Sequence, residues 1–376
     1  MQQEKDRCLS PPKKKSRMSN TNLFSSFYDS SSYPPIKFKS LVKYDLKVVG
    51  SDSQYELSPG ASHSNRVGCV RQGPTGSENG AVEVFLASGK QIFVSHFLPD
   101  SCPPAPGKGG VAVPHQPASS TRPIEFQSID QLTLPNEIQS LHASESILAA
   151  VDPYGRAVIA SYEQDDEQDE QDEQEPSQKK VVTKAYQLQV PGRPGEAGWA
   201  GISVAQWGEV PPKVVAIARH FQKDVTLFDG PIPCRTIHTT YTPNAVELLP
   251  PSLSPGGGGG GGGDLVAVAE GPQLSLWDVR VAGRGARVAK MCPKPHAGQF
   301  YCMAVSGRQD GLSATPLFAG AGAERSVLVY EPRTWKLLDR WNNCLKYEIT
   351  SIHFLDAHPG YCIAGGLDYD AMTARP

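Results

Sequence analysis

No stretch of this 376-residue chain reaches the roughly 18 consecutive apolar residues that span a bilayer, so a soluble protein without a membrane partner is expected. None of its eight cysteines (Cys8, Cys69, Cys102, Cys234, Cys292, Cys302, Cys344 and Cys362) sits in a Cys-x-x-Cys pair, and no secretory signal precedes them. That excludes the closely paired ligands of a structural zinc site and points to reduced thiols inside a cell. The signatures of common catalysts are missing too. There is no Gly-x-Ser-x-Gly elbow, no P-loop, no His-Glu-x-x-His and no Gly-x-Gly-x-x-Gly after a strand. The chain is therefore read as a non-enzyme, with no catalytic residue, cofactor or metal site. No amphipathic segment of ten or more residues stands out, which argues against the helical crossovers of a parallel α/β fold. Basic residues do not alternate with aromatics as on a single-strand nucleic-acid platform, although composition leaves a nucleic-acid partner open.

Turn formers are abundant, with 36 glycines and 33 prolines, and hydrophobic residues make up 39% of the chain. The net charge of −3 hides an uneven distribution. Nine of the 39 acidic residues fall between Glu163 and Glu175, and setting that run aside turns −3 into about +6. Like charges in such a tandem Asp-Glu-Gln repeat repel and cannot pack, so residues 163–179 are expected to be a disordered insertion. Residues 253–263, with eight consecutive glycines from Gly256 to Gly263, read as a second, flexible one. Residues 1–60 are polar, basic and Ser/Pro-rich, and are expected to form a disordered tail. Within it, Leu41–Val49 has the composition of a strand able to pair elsewhere.

From residue 66 onward, β-rich runs of four to seven residues recur between turn formers. One type of run ends in an aromatic followed by an acid: Val225-Thr226-Leu227-Phe228-Asp229, Leu274-Ser275-Leu276-Trp277-Asp278 and Val327-Leu328-Val329-Tyr330-Glu331, with a weaker copy at Ile159–Glu163. The aromatics Tyr162, Phe228, Trp277 and Tyr330 give a period near 50 residues, stretched only across the acidic run. Each of the three strong copies follows a small-residue strand and a tight turn, as in Val214–Ala218 and Leu265–Ala269.

This pattern resembles the WD-repeat family over residues 66–376, and Trp277-Asp278 is its literal Trp-Asp pair. The resemblance implies an all-β propeller of about six to seven blades, each a four-stranded antiparallel sheet that buries its faces against its neighbours. The blades parse as 66–132, 135–192, 197–241, 242–292, 297–341 and 347–376. The last is incomplete, or is closed by an N-terminal strand at 41–49. A truncated propeller fragment that folds incompletely is the alternative.

Leu265–Arg280 also resembles the sixteen-residue box of WD-repeat substrate receptors of cullin-4 ubiquitin ligases. That likeness implies that Arg280 faces the ligase adaptor while Trp277 and Asp278 order the strand end. Gly271 stands where that family usually has Asp. The alternative role for Trp277 is as a core residue of its blade. Finally, Lys13, Lys14, Lys15 and Arg17 form a basic cluster after Pro11-Pro12, in the pattern of a nuclear import signal. The leading expectation is a monomeric, non-catalytic protein–protein scaffold in the nucleus and/or cytoplasm, working within a multi-subunit complex. A cullin-4 substrate receptor is the narrower alternative.

Overall fold

The computed structural model describes residues 65–71, 82–97, 127–144, 146–163, 181–192, 197–205, 214–250, 253, 264–281, 283–293, 298–306, 317–332, 334–355 and 358–366. The tail at 1–60 with its strand at 41–49, the import cluster, residues 164–180 and the glycine run lie outside them.

Five four-stranded sheets and one of two strands follow one another along the chain. The first holds β1 (Val67–Arg71), β2 (Val82–Ser88), β3 (Gln91–Phe97) and β4 (Gln127–Ser128). The second holds β5 (Ser140–Ala143), β6 (Ile147–Val151), β7 (Arg156–Glu163) and β8 (Val181–Gln189). The third holds β9 (Ala200–Val204), β10 (Val214–Arg219), β11 (Asp224–Asp229) and β12 (Ile232–His238). The fourth holds β13 (Pro243–Leu248), β14 (Leu265–Glu270), β15 (Gln273–Asp278) and β16 (Arg287–Met291). The fifth holds β17 (Phe300–Val305), β18 (Phe318–Gly322), β19 (Val327–Glu331) and β20 (Lys336–Trp341). The sixth pairs β21 (Ile349–Leu355) with β22 (His358–Gly366). Every sheet is an antiparallel meander in chain order. Among the described residues, helical structure is limited to short 3-10 turns, at Asp130–Leu132, around Leu253 and at Gly283–Ala286.

The middle strands explain why no sheet stands alone. β14 and β15 are buried along their whole length, so both faces of the sheet need cover. Because side chains alternate between faces, each strand feeds two interfaces. In β10, Val215 and Ile217 join β6 and β7 in the core between the second and third sheets. Ala216 and Ala218 of the same strand join Val266 and Val268 in the core between the third and fourth. Three further cores of the same kind lie between the first and second sheets, the fourth and fifth, and the fifth and sixth. The first strand of each sheet packs on the first strand of the next, from β1 through β5, β9, β13 and β17 to β21. These six strands together wall a central cavity of about 340 Å³. The protein is a β-propeller.

The repeated aromatics occupy equivalent places. Phe228, Trp277 and Tyr330 are each the last residue but one of the third strand of a sheet, opposite Val215, Val266 and Phe318 on the second. Each packs toward the preceding sheet. The pairing of third with fourth strand slips immediately before each of them, and before Tyr162. The slip leaves one extra residue on the fourth strand: Thr183, Cys234, Val288 and Leu338. A bulge of this kind bends the outer strand and sharpens its twist, which wraps it around the aromatic.

Strand direction sorts the connections onto two ends of the ring. Links between first and second strands, and between third and fourth, gather at one end. Along the sequence, the acidic run falls between β7 and β8, and the glycine run between β13 and β14. Turns between second and third strands, and the crossings from one sheet to the next, gather at the other end. The turns at this second end are short, such as Gly89-Lys90, His220–Lys223 and Gly271-Pro272.

Candidate docking edge at Trp277 to Arg280

Trp277, Asp278 and Arg280 are brought together at the end of β15, where the chain turns toward β16. Trp277 lies in the core between the third and fourth sheets, with Leu227, Val246 and Val266 in the same cluster. Its indole N–H donates to Ser275 Oγ at 2.9 Å, two positions earlier on the same strand face. The Arg287 guanidinium lies over the indole ring, 5.7 Å from its centre. Trp277 is thus a packing residue and the anchor of the strand end, and its ring is not the exposed surface.

The exposed group is Arg280. Asp278 takes it in a bidentate fork, with Arg280 Nε donating to Oδ1 at 3.0 Å and Nη2 to Oδ2 at 2.9 Å. The Arg280 backbone N–H also donates to Asp278 Oδ1, at 2.9 Å. Asp264 holds the third nitrogen, with Nη1 3.3 Å from its Oδ2. The side chain of Arg280 remains half exposed, whereas that of Asp278 is nearly covered. The Arg280 hydrogen bond pulls the Asp278 carboxyl below the usual carboxylate range. Asp278 therefore stays ionised as pH falls, and the clamp loosens only below the point where an ordinary aspartate protonates.

Sequence reasoning found the strand end but missed two of the groups that fix it. Asp264 follows the glycine run and precedes β14. The hairpin register that pairs Leu265 with Asp278 carries it beside Val279, whose N–H donates to the Asp264 carbonyl at 2.8 Å. Counting back along that hairpin would have located it. Arg235 comes from β12 of the neighbouring sheet and donates to the carbonyls of Val279 and Val281. No pattern within one repeat announces a donor supplied by the preceding blade. The result is a guanidinium held at a fixed place on the ring edge, with its turn pinned from both sides.

The central cavity gathers Arg66, His142, Glu247, Tyr301 and His353 from five of its six walls. Among the described residues, no group of three or more His, Cys, Asp or Glu side chains is placed to hold a metal ion. The cysteines of the fifth and sixth sheets are poor nucleophiles. Burial pushes the Cys302 thiol far up and raises Cys362 to about 12.

No family model matches the sequence, and no curated protein matches it. Solved structures do resemble it in shape. One is a chain of a structure titled "Crystal Structure of Mitotic Checkpoint Complex", 12% identical, with a TM-score of 0.45 over 83% of this chain and 76% of that one.

Proposed function

We propose that the ring is a non-catalytic platform that holds other proteins together in a multi-subunit assembly. One observation carries this reading: five four-stranded sheets are locked face to face, and the short turns between their second and third strands gather at one end. Rigid scaffolds that present short loops bind partners through shape and charge. The test is affinity purification of the tagged full chain followed by mass spectrometry. A reproducible set of subunits at near-equal amounts is expected; recovery of chaperones alone would overturn the reading.

A narrower role as a cullin-4 substrate receptor is favoured by Arg280. A planar, directional donor group, half exposed and clamped by Asp278 and Asp264, suits bidentate contact with an adaptor. Arg280→Ala is expected to abolish capture of the adaptor and leave the thermal midpoint nearly unchanged. Full retention of capture would remove this role and leave the platform in place.

The setting we propose is nuclear, through Lys13, Lys14, Lys15 and Arg17. Replacing all four with alanine in a fluorescent fusion of the full chain is expected to move it to the cytoplasm. An unchanged nuclear fraction would count against the signal.

A further inference from the structure

We infer that a strip on the short-turn end, built from Phe221, Lys223 and Tyr241, docks an acidic peptide segment that carries an apolar anchor. The inference rests on the platform reading and names the partner chemistry of one part of it. Phe221 and Tyr241 are large apolar side chains left 53% and 43% exposed. Isolated exposed hydrophobes are ordinary, but these two belong to one connected structure. Phe221 lies in the turn between β10 and β11, and Tyr241 in the crossing from β12 to β13. Thr239 ties the two segments together: its backbone N–H donates to Lys223 O at 2.8 Å and its hydroxyl to Tyr241 O at 2.7 Å. His220 closes the other side, its Nδ1 3.0 Å from Pro243 O and its ring edge-on to Phe221 at 5.2 Å.

Both aromatics rest on glycines. A Cβ at Gly198 would come within 2.5 Å of the Phe221 ring, and one at Gly271 within 3.0 Å of Tyr241. Gly271 also has a φ of +52°, which L side chains rarely adopt. Each ring therefore has one side laid closely against glycine backbone. Aromatics held so lose little freedom on binding, which is what hot-spot anchors require.

The charge around the strip has one sign. Its carboxylates are turned inward: Asp224 is held by the Arg219 guanidinium, and Glu270 is fully buried, with its Oε2 taking the backbone N–H groups of Thr240 and Tyr241. Lys223 is exposed in the turn, with φ +52°. Arg287 reaches Thr240 Oγ1 at 3.2 Å. Among the described residues, the strip thus offers cations and aromatic faces with no free acid beside them. A peptide fits this better than a nucleic acid does, because the cations cluster around two rings and form no track for a phosphate backbone.

The probe is a pair of fluorescein-labelled fifteen-residue peptides, titrated against the full chain by fluorescence anisotropy. One has Asp and Glu around a central Phe-Leu pair, and the other replaces every acid with Lys. Labelled fifteen-residue oligothymidine is the third arm. The acidic peptide is expected to bind, to weaken as salt rises, and to lose about tenfold or more in affinity with Phe221→Ala/Tyr241→Ser and with Lys223→Glu. Unchanged thermal midpoints show that the variants fold. The inference fails if the lysine peptide binds as well, if the double variant binds the acidic peptide undiminished, or if oligothymidine binds as tightly. Subunit capture by the double variant separates the two readings. Unchanged capture beside failed peptide binding removes the strip and keeps the platform, whereas no capture even by the unaltered chain removes the platform itself.

Discussion

Phe228→Ala is expected to destabilise the fold by about 3–5 kcal/mol, seen as a lower denaturant midpoint. Phe228 is 1% exposed and stands next to the end of β11, packed in the core that the second and third sheets share. Around it are Ile159 of β7 and Val215 and Ile217 of β10, held on two separate sheets. A void at that place cannot be closed by moving one side chain. Collapse would have to shift a whole sheet against its neighbour, and the sheets beyond resist. The upper part of the range for large-to-small changes follows from that rigidity. A loss below about 1 kcal/mol would mean that the interface relaxes freely, which a ring of interlocked sheets should not do.

Asp224→Ala is expected to cost about as much, roughly 3–5 kcal/mol, for an electrostatic reason. Arg219 ends β10 and Asp224 begins β11, directly opposite across the turn. Their side chains are only 9% and 6% exposed. Arg219 Nε donates to Asp224 Oδ1 at 2.9 Å, and Nη2 donates to Oδ2. Removing the carboxylate strands a buried guanidinium with no counter-charge. Replacing both residues together, Arg219→Met with Asp224→Leu, is expected to cost much less, because no lone charge is left behind. Urea melts of the single and paired variants supply the comparison. If the paired replacement proves as damaging as Asp224→Ala, the pair acts by shape and not by charge balance.

Much of the architecture was legible in the chain. The aromatic–acid strand ends at Phe228, Trp277 and Tyr330 recur because each closes the same position of a sheet, so their spacing reported one structural unit. Small residues such as Ala216, Ala218, Ala267 and Ala269 marked the strands that neighbouring sheets must approach closely. The bulge opposite each aromatic was not legible, since it is a property of pairing between two strands. Val288 and Cys234 look like ordinary strand residues until the register is known.

The docking edge divides in the same way. Trp277, Asp278 and Arg280 are three residues of one strand end, and local sequence carried them. Arg235 stands 46 positions from Val281, and its part in holding that turn depends on which blade lies alongside. The strip of Phe221, Lys223 and Tyr241 went unread for a related reason. Nothing in a turn sequence says whether its aromatic will be covered by a neighbour.

The sequence by itself determined the all-β class and the repeating sheet. Those follow from side-chain alternation and turn chemistry, which act over a few residues. Only the tertiary structure decided which faces are buried, which carboxylates are spent on internal partners and which aromatics remain in solvent. Burial and charge pairing are relations between segments dozens of residues apart, and they exist only once the sheets have closed on one another.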